Sequence, residues 1–189
     1  MNIYNYLIRM DKPTEEVIGN TKNTEEIALN FIITISSKPI DDVILFLHSN
    51  PPFIFWDMEY LYNLLSLNNI DLTMGILKKC IPEGDNNIFH IICENSNADT
   101  IRKILPEVSD ELLYSVRKSD GKNAFLIICG YILPTIDLLD ALISRGVDIQ
   151  KLTNKKRNAI YELQKNEHIN KSSYEQIVEY LKYKGIHFS

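Results

Sequence analysis

The sequence predicts an all-α solenoid of about five helix-turn-helix units with capping ends, on three observations. The pentad FHIIC at 89–93 returns as FLIIC at 125–129. An apolar block, a polar break, an acid and a second apolar block recur in that order along the chain. Within the blocks, apolar residues fall at the three- and four-residue spacings of one helix face, without the sustained alternation of a strand.

Taken in order, the windows are FIITISSKPIDDVILFL (31–47), LYNLLSLNNIDLTMGIL (61–77), FHIICENSNADTIRKIL (89–105), FLIICGYILPTIDLLDAL (125–142) and IYELQKNEHINKSSYEQIVEYL (160–181). Successive offsets of 30, 28, 36 and 35 residues define a repeat whose loops vary in length. In the fourth window Ile136, Leu138, Leu139, Leu142 and Ile143 share one helix face. Asp41, Asp71, Asp99 and Asp137 each precede a second block, where a first-turn acid meets the positive end of the helix dipole. Ser144-Arg145-Gly146 and Tyr183-Lys184-Gly185 read as helix ends, each a basic residue followed by a C′ glycine. These signals divide a single domain, 1–189, into a cap at 1–24 and units at about 25–52, 53–83, 84–119, 120–153 and 154–189. One helix pair cannot bury enough apolar surface to fold alone, so stability must come from stacking neighbours. The polar segment 1–24 and the closing helix around Ser173–Tyr183 are the expected caps.

Composition narrows the function. A net charge of −5 argues against non-specific nucleic-acid binding, which needs a basic face. No run approaches a membrane span, and the N-terminal apolar patch is too short and broken for a signal-peptide core. Cys80, Cys93 and Cys129 form neither a disulfide framework nor a zinc pattern. They fit reduced thiols in the cytoplasm or nucleus. The histidines lack metal-ligand spacing, and no phosphate loop, nucleophile elbow or kinase-like set is present. The reading is therefore non-enzymatic, with no cofactor and no metal.

The fourth unit, DGKNAFLIICGYILPTIDLLDALISRGVDIQKLTNKKRNAIYEL, resembles the ankyrin repeat. Asp120-Gly121 falls on that family's turn, Asn123-Ala124-Phe125-Leu126 on its T-P-L-H stretch and Ile128-Cys129 on its two small inner-helix positions. Leu142–Ile149 falls on its closing segment, and Asn87-Ile88-Phe89-His90 gives the third unit's T-P-L-H. No unit has an intact T-P-L-H, and residues 107–118 make an elaborate exit from the third. The resemblance covers nearly the whole chain and extends to divergent arrays of large DNA viruses and intracellular bacteria.

The resemblance implies a protein-interaction module whose partner lies across the turn tips and the exposed, concave side of the inner helices. Carried over unit by unit, the tips are Gly84–Asn87, Asp120–Lys122 and Asn154–Arg157. The exposed inner-helix positions are Glu94 and Asn95, Gly130 and Tyr131, and Lys165 and Asn166. Lys122, Lys155, Lys156 and Arg157 should gather on one edge, with Glu94 and Asp85 nearer the middle, so an acidic peptide or acidic protein patch is the expected ligand. His90 is expected to brace a neighbouring turn through its backbone. The stretch PPFIFW (51–56) leaves two readings: Phe53, Phe55 and Trp56 form an exposed binding anchor, or they fold back onto the stack. A pathogen protein competing for a host signalling or transcription factor, with an IκB-like decoy as one version, is the functional expectation. The alternative is a structural solenoid forming a homodimer.

Overall fold

A computed structural model describes residues 18–55, 58–82 and 86–187. Among them the chain forms α1 (Ile18–Ser37), α2 (Ile40–Ser49), α3 (Met58–Ser66), α4 (Ile70–Lys79), α5 (Ile88–Asn95) and α6 (Ala98–Ile104). A single 3-10 turn (Leu105–Glu107) leads to α7 (Asp110–Tyr114), α8 (Ala124–Tyr131), α9 (Ile136–Ser144), α10 (Ala159–Lys165) and α11 (Lys171–Tyr183). The all-α expectation holds, with one small exception. Phe53–Phe55 (β1) pairs in parallel with Cys80–Pro82 (β2), a contact that the helical repeat does not announce.

Helices pack side by side in two rows. The front row runs α3, α5, α8, α10, and the back row runs α2, α4, α6, α9. The recurring pentads explain the front row, because Phe89 to Cys93 and Phe125 to Cys129 are all buried, His90 included. A short helix buried all round must present its apolar residues to neighbours on both sides. The back-row helices are amphipathic instead. Leu138, Leu139 and Leu142 of α9 are buried while Ile136 and Asp137 face out.

The helix ends follow the local chemistry. The expected acids Asp41, Asp71, Asp99 and Asp137 all sit in first turns. Gly146 (φ +81°) and Gly185 (φ +86°) close their helices in the left-handed region that favours glycine. At Gly146 the closing bonds run from its N–H to Ile143 O at 2.9 Å and from Val147 N–H to Leu142 O at 3.1 Å.

Asparagine makes a second, recurring device. Asn87, Asn123 and Asn158 cap α5, α8 and α10, each Oδ1 accepting from an N–H three residues on. The same three side chains donate through Nδ2 to backbone 25–29 residues further on, at Leu112 O (2.9 Å), Asp148 O (2.7 Å) and His187 O (2.5 Å). One residue type thus starts each helix and ties it to its unit's far end. In the T-P-L-H comparison Asn87 and Asn123 stand at the threonine position.

At the N-terminal side, α1 runs unbroken through residue 25, where the sequence places the start of the first unit. The expected cap at 1–24 lies largely outside the described residues. Phe53 is fully buried, its ring 5.3 Å from Phe31 and 6.5 Å from Phe46, so this aromatic packs onto the stack. Trp56 lies outside the described residues.

Candidate functional site

The turns before α8 and α10 form a continuous hydrogen-bonded polar region. In the first, Arg117 N–H donates to Lys122 O and Gly121 N–H to Arg117 O, both at 2.8 Å. Gly121 has φ +78°, and a Cβ there would stand 2.7 Å from the Asn154 backbone nitrogen. Glycine is required by both conformation and space. In the second turn Thr153 N–H donates to Arg157 O at 2.9 Å, and Arg157 N–H donates to Thr153 Oγ1 at 3.1 Å. The two turns are joined: Asn154 N–H donates to Asp120 O at 2.7 Å, and its Nδ2 to Lys118 O at 3.0 Å.

Arg117 is the hub of this region. It is only 7% exposed, and its guanidinium donates to both Asp120 carboxylate oxygens (3.0 and 2.7 Å), to Asn86 Oδ1 (3.1 Å) and to Glu94. A buried guanidinium of this kind needs such satisfaction, since an unpaired buried charge is costly. Burial by itself would lower the Arg117 pKa, but the hydrogen bonds and charges of Asp120 and Glu94 raise it. Asp120 shows the reverse. Burial pushes its carboxyl up, yet the Arg117 hydrogen bond, the Lys122 N–H and both cationic charges hold it below 3.8. The neighbouring Tyr62 hydroxyl is raised by burial and by the Glu94 charge.

Lys122 extends the network to the next helix. Its Nζ lies 2.7 Å from the Glu162 carboxylate and 4.7 Å from the centroid of Tyr131, while Arg117 stands 5.9 Å from the same ring. Glu94, Arg117, Asp120, Lys122 and Glu162 therefore form one alternating chain of charge across α5, α8 and α10. Gly130 leaves room for it: a Cβ there would come within 3.3 Å of Glu162 Oε2.

The expected exposure of three residues, and with it the expected lysine edge, needs correction here. Glu94 and Lys122 are not the exposed side chains expected, being 13% and 12% exposed. Stacking brings opposite charges across from neighbouring units, and each is largely enclosed by its pair. Asn166 is likewise buried, its Nδ2 donating to Cys129 O at 2.9 Å and to Ile132 O, so it ties the end of α8 rather than facing out. The lysine edge therefore comes apart. Lys122 turns inward, while Lys155 and Lys156 remain exposed and Arg157 is half-buried.

The other expected positions fall as follows. Tyr131 is 40% exposed and Lys165 is exposed. Asn95 is half-buried, donating to Ile91 O at 2.8 Å. Arg157 and Lys165 meet on a second ring, Tyr161, at 4.4 and 5.8 Å from its centroid. The N-terminal tip at Gly84 and Asp85 lies outside the described residues. His90 Nε2 is 3.3 Å from Ser115 O and 3.2 Å from Ser115 Oγ, so this histidine reaches the segment before the Arg117 turn. Arg117 is the residue that spacing does not single out. Its one local signal is its place three residues before Asp120, ahead of an Asp-Gly turn.

The arrangement has little nucleophilic or metal-binding character. Cys80, Cys93 and Cys129 are buried, and burial pushes their thiols up, Cys129 to about 12. Among the described residues no three His, Cys, Asp or Glu side chains converge where a metal ion could sit. No described helix is long and apolar enough to cross a membrane. Neither a protein-family model nor a curated protein matches this chain.

Proposed function

We propose that this chain is a divergent ankyrin-repeat solenoid without catalytic activity, binding a partner protein through its turn tips and the outer surface of its front row. One observation carries the reading: turns 117–122 and 153–157 are hydrogen-bonded to each other, and Arg117 and Lys122 pair with Glu94 of α5 and Glu162 of α10, presenting one prearranged surface. A surface ordered before binding loses less conformational entropy when a partner arrives. The recurring Asn87, Asn123 and Asn158 ties support the repeat, since one residue type does one job in three successive units. Tyr131 stands beside Arg117 and Lys122 of the first turn with its ring partly open, and tyrosine is a frequent binding hot spot. Buried, unactivated thiols suit a reducing compartment, so we place the activity in the cytoplasm or nucleus.

The test is affinity capture from cell lysate, read by mass spectrometry, comparing the wild type with Tyr131→Ala/Lys155→Glu. Circular dichroism must first show both equally folded. A partner held by the wild type and lost by the variant is the expected result. Equal capture by both removes the site from this face, and capture by neither removes the reading.

A further inference from the structure

Two tyrosines of the front row each carry two cations, and the two clusters differ in one respect. At Tyr131 both cations are answered by the protein's own carboxylates, Arg117 by Glu94 and Asp120, Lys122 by Glu162. At Tyr161 neither Arg157 nor Lys165 has a carboxylate within 4.0 Å among the described residues. The sequence positions correspond, because Lys122 and Arg157 each directly precede the capping asparagine of a front-row helix, Asn123 or Asn158. Glu162 of α10 answers the cation at that position in the fourth unit, whereas among the described residues the fifth unit's cation meets a ring and no carboxylate.

We infer that Arg157 and Lys165, with Tyr161 between them, receive a carboxylate from an acidic stretch of the partner protein, in the way that Lys122 receives Glu162. The inference rests on the proposed partner-binding function. Arg157 is held ready: its own N–H and carbonyl are both fixed to Thr153, and its guanidinium is steadied by stacking at 4.4 Å on the ring. Such a guanidinium still has in-plane donors for both oxygens of one carboxylate. Lys155 and Lys156, exposed in the same turn, add positive potential that attracts an acidic segment toward the site. The rest of the chain works the other way, since the whole carries −5. That contrast favours a short acidic peptide over a nucleic acid, whose phosphates need a long basic track.

The experiment is fluorescence anisotropy of a labelled deca-glutamate peptide with the full chain at low salt. Arg157→Gln/Lys165→Gln should weaken binding about tenfold or more. Lys38→Gln/Lys171→Gln, which removes the same charge from other exposed sites, should leave binding nearly unchanged. Equal weakening by both pairs, or no binding by the wild type, overturns the inference. Tighter binding of oligothymidylate, lost in the same Arg157/Lys165 variant, also overturns it by assigning the site to phosphate. Lysate capture that depends on Tyr131 but coexists with failure of the peptide leaves the module standing and removes only the carboxylate site. Loss of both removes both.

Discussion

The helices up to Lys79 and those from Ile88 onward share one layout but are held together by different forces. In the first region Phe31, Phe46 and Phe53 pack at 5.3–6.5 Å, a short parallel strand pair adds to the contact, and α2 begins at Pro39 with no side-chain cap. In the second, asparagine ties close each unit on itself, while the Arg117 network and the joined turns carry directional bonds from unit to unit. Apolar packing excludes water with little regard for orientation. Hydrogen bonds and ion pairs fix orientation, because they weaken steeply when misaligned. The region that orients its turn tips most firmly is the one proposed to meet a partner.

The largest effect expected from breaking this contrast is at Phe31. Phe31→Ala should cost about 3–5 kcal/mol, read by chemical denaturation. Hydrogen exchange should show α1–α4 opening before α8–α10. Equal loss of protection in both regions would show them to be a single cooperative unit.

Arg117→Leu should cost about 3 kcal/mol or more, because it leaves the largely enclosed Glu94 without its cation and Asp120 with only Lys122, 4.0 Å away. Acid provides a second readout. The Asp120 pKa is depressed in the folded state, so its contribution is present above the ordinary value of 3.8 and is lost as pH falls through the folded value. Wild-type stability should therefore fall with acid below about pH 4. The Arg117→Leu variant should show a shallower dependence in urea titrations across that range.

A smaller comparison separates capping from tying. Asn69 caps α4 by accepting from Leu72 N–H at 2.9 Å, whereas Asn123 caps α8 and also donates to Asp148 O. Asn69→Ala should cost about 1 kcal/mol and Asn123→Ala about 2, measured by thermal melting. Equal costs would remove the tie as a stabilising device. The smallest effect should be a gain. Lys156 sits at φ +60° where the preceding turn has Gly121, so Lys156→Gly should stabilise by about 1 kcal/mol, read as a raised Tm.

Much of this was legible in the sequence, and the legible part was local. Helix faces, first-turn acids such as Asp99 and Asp137, and the closing glycines Gly146 and Gly185 all depend on residues within about one turn of each other. The two buried pentads are equally local, since an apolar run on a short helix has only the interior to face. At the candidate site the tyrosine Tyr131 and the exposed Lys155 and Lys156 were legible by position within the unit.

Spacing alone determined that the chain is helical and that one apolar layout recurs along it. Tertiary structure decided which charges are spent inside and which remain outside. Lys122 and Arg157 occupy the same place in their units, yet among the described residues one faces Glu162 and the other the ring of Tyr161. The β1–β2 pairing was also a tertiary decision, made by strand segments from opposite ends of one unit. Periodicity is written along a helix, but an ion pair forms only where stacking brings two side chains within reach. Coulombic and hydrogen-bonded partners are chosen by distance in space, which the order of residues along the chain does not specify.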